Sequence, residues 1–255
     1  IENVLKEQYP ELKVMIAVGG WFDSGKFSDI AATAVAREKF AQSVVNFLVT
    51  YDMDGIDLDW EYPVVATDVN GNVRPADATN YALLAKAIRD ALNAQSAIDG
   101  KQYVISAATP AGYDKYDQID LAALAAQLDW INVMTYDFHG RWDTSRTGHN
   151  ASLFANPDDP NPRYNADDAI RGYIAAGVPA SKINLGIPLY GYTWSGVPST
   201  DNGLFQSATG TGIGTLSIEP GMIDYRTVAE LDGGYVEYWD EDAQVSYMYN
   251  PSVAG

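Results

Sequence analysis

Asp54-Gly55-Ile56-Asp57-Leu58-Asp59-Trp60-Glu61-Tyr62-Pro63 is the stretch that decides the fold of this 255-residue chain. Side chains alternate faces along a strand, so Asp57, Asp59 and Glu61 share one face while Ile56, Leu58 and Trp60 share the other. The apolar face demands a core. The flanking sequence supplies helices rather than antiparallel partners, which points to a parallel sheet buried on both faces. Carboxylates ~7 Å apart along such a strand repel one another, so at least one is expected to hold a proton near neutral pH. A carboxyl group kept protonated is the state required of a proton donor. Two other readings stand behind acid catalysis. For a calcium loop counted from Asp57, the sixth residue is Tyr62 where a sharp turn needs Gly, and the twelfth is Asp68 rather than Glu. A solvent-facing edge strand leaves Ile56, Leu58 and Trp60 without a core.

Upstream, residues 1–11 read as the end of a helix, and Leu12 to Val18 as a buried strand closed by Gly19-Gly20-Trp21. Between Ser24 or Asp29 and Tyr51 the apolar residues Val35, Phe40, Val44, Phe47 and Leu48 recur at helical spacing, with Ser24 or Ser28 as the cap. Downstream, a turn at Asn70-Gly71-Asn72 precedes a helix over about 77–96, with Tyr81, Leu84, Ala85, Ile88 and Leu92 on one stripe. Strands follow at Tyr103–Pro110 and Trp130–Asp137, the latter with Asn132, Met134 and Tyr136 on one face, and a helix is expected near 118–128 between them. Residues 138–164 form a long loop carrying Arg141, Trp142 and His149. Neither His139 nor His149 has Cys or His ligands nearby, so both read as hydrogen-bonding loop residues and not as zinc ligands. Asn150-Ala151-Ser152 matches the short glycosylation pattern. A helix over 165–176 ends at Gly177, and Ile183–Gly191 is a fifth strand.

Strands separated by helices or helical loops imply a parallel α/β fold, a pattern that a doubly wound sheet and a barrel both satisfy. Polar groups at successive strand ends (Gly20-Trp21, Glu61, Tyr136-Asp137, Tyr190) favour the barrel. From Thr193 the alternation stops, and Gly234–Trp239 with Val245–Tyr249 reads as a hairpin. No apolar run approaches the ~20 residues of a membrane span, and no signal peptide opens the chain at Ile1. A formal charge of −18 opposes nucleic acid and anionic membrane surfaces and suits a neutral or cationic partner. Cysteine is absent, which removes disulfides and thiol chemistry.

Asp54-x-x-Asp57-x-Asp59-x-Glu61, with Gly55 and Trp60-x-Tyr62-Pro63 in register, resembles the signature of glycoside hydrolase family 18, the chitinases and their relatives. Met134-x-Tyr136-Asp137 matches a second family signature, in the right order. The resemblance implies a (β/α)8 barrel of TIM type, of which this chain carries the third to seventh strands over residues 1–192. Residues 193–255 are then part of a small α+β insertion, and the chain is expected to be a piece of a larger protein or a natural truncation. It implies hydrolysis of β-1,4-linked N-acetylglucosamine polymers without metal or organic cofactor. Glu61 is the proton donor with a raised pKa, Asp59 orients the acetamido group, Asp57 shares a proton with Asp59, and Tyr136 bonds the acetamido oxygen. Chitin or chitooligosaccharides are the expected partners, contacted through Gly20, Trp21, Met134, Asp137, Trp142 and Tyr190, with Trp194 and Trp239 as further stacking surfaces. Neither nucleic acid nor membrane is a partner, and a secreted location is implied. The family pattern has serine where this chain has Ala17, so the support which that serine gives the first inward acid is expected to be missing at Asp57. Tyr192 replaces the arginine of Tyr-Gly-Arg. A lectin-like binder without activity and an endo-β-N-acetylglucosaminidase are the alternatives.

Overall fold

The acidic stretch forms strand β2 (Gly55–Asp59) in the computed structural model, which describes residues 2–67, 69, 71–216, 220–231 and 233–253. Asp68 and Asn70, of the calcium-loop count and the expected turn, lie outside the described residues, as does Ile1. A short helix α1 (Glu2–Gln8) precedes strand β1 (Met15–Gly19), and β3 (Val104–Pro110), β4 (Trp130–Met134) and β5 (Ile183–Leu185) complete a five-stranded sheet in chain order. Parallel pairing sets Ala17, Asp57 and Ser106 in one row and Gly19, Asp59 and Ala108 in the next but one. The apolar face of β2 is as expected: Ile56, Leu58 and Trp60 are buried, and Trp60 stacks on Phe27 with ring centroids 5.4 Å apart.

The segment expected as one helix after β1 is divided. A 3-10 turn at Ser24–Lys26 leads into α2 (Phe27–Ala31), and α3 (Ala34–Thr50) starts afresh behind Thr33. Thr33 is the cap, its side chain accepting from the Ala36 N–H, whereas Ser24 and Ser28 are buried tie points. Ser28 donates to Asp77 at 3.0 Å and accepts from Arg74. Helix α4 (Asp77–Asp99) runs longer than expected, to a left-handed Gly100, and buries the whole predicted stripe from Tyr81 to Leu92. The helix expected near 118–128 is two short pieces, α5 (Tyr113–Tyr116) and α6 (Leu121–Ala125), because Asp120 caps a new start by accepting from the Ala123 N–H.

Helix α7 (Ala166–Ala175) precedes Gly177, which takes a positive φ of 95°. The strand expected over Ile183–Gly191 stops at Leu185, since Pro188 lacks the N–H needed to continue a ladder. Tyr190 therefore does not end a parallel strand. It opens β6 (Tyr190–Tyr192), which pairs antiparallel with a later strand at Met222–Asp224, while Trp194–Ser195 pairs with Gly210–Thr211. The predicted hairpin is present as Val236–Asp240 against Val245–Tyr249.

The chain clusters into two compact units, residues 1–110, 114–133 and 173–184 in the first, and residues 111–113, 134–172 and 185–255 in the second. This differs from a single cut after residue 192, because the long loop packs with the C-terminal segment. Thr147 donates to the Gly203 carbonyl at 2.6 Å, and Leu153 N–H to that of Ala243 at 3.0 Å. Among the described residues no helix is long and apolar enough to cross a membrane.

Candidate active site

In the first unit the acids of β2 occupy graded positions. Asp54, the first acid of the signature, is tied down below them. It accepts from Val14 N–H at 2.8 Å and pairs with Lys6 at 2.8 Å. Burial alone would raise its pKa, but Lys6, the Val14 N–H and Lys101 hold it below the usual carboxylate range, so Asp54 is a structural anion. Asp57 is half-buried, and its Oδ1 accepts from Ser106 Oγ and, at 3.0 Å, from Asn132 Nδ2. The support thought missing with Ala17 is therefore supplied, from the other side of the strand. Asp59 carries the perturbed carboxyl. Burial, reinforced by the neighbouring charge of Asp57, pushes its pKa up to about 6. Its Oδ1 is buried and has no hydrogen-bond partner among the described residues. An acid so placed holds a proton close to neutrality and has an oxygen free to engage an incoming N–H.

Glu61 is buried just beyond the end of β2, behind a cis peptide bond to Tyr62. Its backbone N–H donates to Ser24 Oγ at 2.9 Å, and that hydroxyl lies 2.8 Å from the Gly20 carbonyl and 3.0 Å from that of Asp59. Ser24 thus joins the turn after β1 to the end of β2. Close backbone approach explains the glycines. Gly19 has φ 112°, and a Cβ there would stand 2.0 Å from the Asp59 carbonyl oxygen. Gly20 donates its N–H to the same carbonyl at 2.8 Å, and a Cβ on it would lie 3.7 Å from Asp59 Oδ2. Trp21 is 40 % exposed and meets Tyr62 edge-on at 6.5 Å. The first unit therefore brings together Asp57, Asp59, Glu61, Gly20 and Trp21.

The second unit assembles the other named residues. Met134 ends β4 and is half-buried. Tyr136 packs edge-on against Tyr190 at 6.1 Å. Asp137 takes a left-handed φ of 59° and accepts from the hydroxyls of Tyr190 at 2.7 Å and Tyr192 at 3.0 Å. Burial raises the Asp137 pKa against the opposing pull of those two hydroxyls. Tyr192, standing where the family has arginine, also meets Trp142 edge-on at 5.1 Å, and Trp142 is 58 % exposed. Trp239 is exposed as well, but Trp194 is half-buried and donates its indole N–H to the Asp143 carbonyl at 3.0 Å.

Both histidines bond to carboxylates, His139 to Asp159 at 2.8 Å and His149 to Asp240 at 2.7 Å. Among the described residues no group of three His, Cys, Asp or Glu side chains is placed to hold a metal ion. Asn150 of the glycosylation pattern is engaged at both ends of its amide. It donates to the Tyr190 carbonyl at 3.0 Å and accepts from Asp137 N–H at 3.0 Å. Sequence reasoning missed Ser24, Ser106 and Asn150 as parts of these clusters. The parallel row shared with Asp57 was the one signal that pointed to Ser106.

Comparison with known proteins adds an independent line. Residues 2–254 match the family model described as glycosyl hydrolases family 18. The chain is 43 % identical to Chitinase A1 of Niallia circulans, over 98 % of this chain and 37 % of that protein. It is 40 % identical to Chitinase 1 of Aphanocladium album, over 98 % of this chain and 56 % of that one. Among solved structures, chitinase ChiA74 from Bacillus thuringiensis superposes with a TM-score of 0.94 at 41 % identity, covering 99 % of this chain and 43 % of the other. The chain thus spans between a third and just over half of the relatives it matches.

Proposed function

Because this chain belongs to glycosyl hydrolase family 18, with the α/β fold of the (β/α) barrel type found in that family, we propose that the protein hydrolyses β-1,4 linkages of chitin or chitooligosaccharides with retention at the anomeric carbon. The observation that carries this reading is the β2 end itself. Glu61 is buried two residues beyond Asp59, whose carboxyl is raised to about 6 and has an oxygen left without a partner.

In the proposed reaction Glu61 gives its proton to the glycosidic oxygen as the bond to the anomeric carbon breaks. The electron pair that replaces this bond comes from the substrate's own acetamido oxygen, which closes an oxazolinium ring. Asp59 accepts a hydrogen bond from the acetamido N–H through its free oxygen and orients the group for attack. Asp57 shares the proton of the pair with Asp59, and Tyr136 is assigned to the acetamido oxygen from its place in Met134-x-Tyr136-Asp137. Water, deprotonated by Glu61, then opens the ring and restores the acid. Gly20 provides close backbone approach to the sugar. Trp21 and Trp142, both exposed aromatics, are assigned to stacking on sugar rings, with Asp137, Tyr190 and Met134 as further contacts. The division into a partial barrel at 1–192 and part of an insertion at 193–255 belongs to the same reading. A secreted location is part of the same reading.

Release of a fluorophore from chitobiose and chitotriose glycosides tests the proposal, with Glu61→Gln as control. Glu61-dependent release is expected. Oligosaccharide binding without hydrolysis in the folded parent chain would instead make it a binder.

A further inference from the structure

Hydrogen bonds from Asn150 reach both segments that carry the named residues of the second unit. Its side-chain oxygen accepts from the Asp137 N–H at 3.0 Å, and its backbone carbonyl accepts from the next N–H, that of Phe138, at 3.1 Å. Its side-chain nitrogen donates to the Tyr190 carbonyl at 3.0 Å. Two consecutive N–H groups thus converge on one residue, at the point where Asp137 takes a left-handed φ of 59° that side chains with a Cβ seldom adopt. With the backbones of Asp137 and Tyr190 tied to one amide, the Tyr190 hydroxyl meets Asp137 Oδ1 at 2.7 Å. Tyr192, two residues along β6, sets its hydroxyl on the same oxygen at 3.0 Å. Among side chains this short, only an amide offers a donor and an acceptor on one carbon at neutral pH.

We propose that Asn150 is a positioning residue, an amide clamp that sets the Asp137 carboxyl and the Tyr190 and Tyr192 hydroxyls as one recognition unit. It acts through those groups and not on the sugar. The inference rests on the hydrolytic reading above, in which Asp137 and Tyr190 contact substrate. It gives Asn150-Ala151-Ser152 a role other than glycan acceptance.

Asn150→Asp exposes the clamp, because its carboxyl matches the amide only when protonated. Ionised, it still accepts from the Asp137 N–H but turns a second acceptor on the Tyr190 carbonyl. Protonated, it donates there as the amide does. Partial burial, that carbonyl and the Asp137 carboxyl all favour the protonated form, which therefore persists above the usual carboxylate range. The titratable groups about the clamp are Asp137, Tyr136, Tyr190 and Tyr192, with the Arg141 charge acting on Tyr192. His139 bonds Asp159, and His149 is turned to Asp240. Asp224, opposite Tyr190 on the paired strand, is held by Thr215 and Thr227.

The test compares Asn150→Asp and Asn150→Ala with the parent chain, each checked for native near-ultraviolet circular dichroism. The first quantity is kcat/KM on a chitotriose glycoside between about pH 7.5 and 4.5, taken as the ratio of variant to parent so that titrations common to both cancel. Asn150→Asp is expected to fall about ten- to a hundredfold below the parent at the upper end and to recover to within about threefold at the lower. Asn150→Ala should stay about ten- to a hundredfold below throughout. The second quantity, the titration midpoint of the Asp137 carboxyl carbon by NMR, needs no turnover. It should rise in Asn150→Ala, because Asp137 loses its alignment with the two hydroxyls that oppose the effect of burial. Should Asn150→Ala fail to fold, Asn150→Ser, which can make at most one of the two side-chain bonds, takes its place. A merely structural asparagine would leave folded variants at the parental rate at every pH. A ratio for Asn150→Asp that is flat with pH overturns the inference, as does an Asp137 midpoint unmoved or lowered in the folded variant. If the parent chain binds sugar but does not hydrolyse it, the hydrolytic reading fails for this chain. The Asp137 midpoint and the pH dependence of oligosaccharide affinity in Asn150→Asp then still decide whether Asn150 is the clamp.

Discussion

At the scale of single residues, the proposed chemistry depends on three carboxyl groups of one short stretch, Asp57, Asp59 and Glu61, having been given different surroundings. Glu61→Gln is expected to reduce fluorophore release by about two to four orders of magnitude while leaving oligosaccharide affinity, read by calorimetry, largely intact. Asp59 makes a second, independent prediction. Its folded pKa is raised to about 6 from the ordinary 3.8. The stability it contributes is therefore present in full below pH 3.8 and is lost as pH rises through about 6, where the buried group must ionise. Asp59→Asn should accordingly raise the melting temperature by a few degrees near pH 8, and should change it little near pH 4, in thermal scans of the two proteins side by side. The acids were legible in the sequence because period-two spacing assigns them to one face. Asp54 looks no different from the rest of the signature, yet its partners Lys6 and Lys101 come from distant parts of the chain, so only the folded structure marks it as a structural anion. Ser106 carried no signal of its own, since a lone serine in a strand reads as filler until its row partner is known.

At the scale of elements, periodicity located every strand of the parallel sheet and misjudged where segments break. The apolar repeat through residues 27–50 runs on across Ala32 and Thr33 without Gly or Pro, so nothing in the pattern announces the restart at Thr33. Ser24 and Ser28 mislead for a physical reason: the short hydroxyl side chains that cap helices also serve as buried cross-links. Thr33→Ala should cost about 1 kcal/mol in urea denaturation, whereas Gly19→Ala should cost about 3 kcal/mol or more. At Gly19 a methyl group would collide with both the Asp59 carbonyl and the Phe27 ring in a left-handed backbone conformation. The fifth strand was drawn too long because Ile187 and Leu189 continue its apolar run. Both are strongly exposed, and the ladder has already ended.

At the scale of the whole molecule, each unit carries its own response to acid. In the second, His149 is buried against Asp240, and burial lowers its pKa in spite of the carboxylate beside it. The unfolded chain binds that proton more readily, so the stability from neutral His149 is lost as pH falls below about 6.5. Burial opposes the ionised form of Asp240, but the Ala243 N–H, His149 and Asn156 together hold its pKa low, and its contribution disappears in turn at still lower pH. Hydrogen exchange corrected for intrinsic rates should show residues 245–249 losing protection between about pH 7.5 and 5, with His149→Gln flattening the change. The sequence indicated that these histidines form hydrogen bonds, but the partner of His149 lies 91 residues away in the chain and left no local trace.

The row Ala17–Asp57–Ser106 also bears on how such a sequence can diverge. Of its two flanking positions, 106 carries the hydroxyl that bonds Asp57 and 17 carries a methyl group. A change at 17 leaves both donors to Asp57 in place, whereas loss of the hydroxyl at 106 leaves the acid to Asn132. Among descendants of one ancestor, position 17 should therefore vary more freely than position 106.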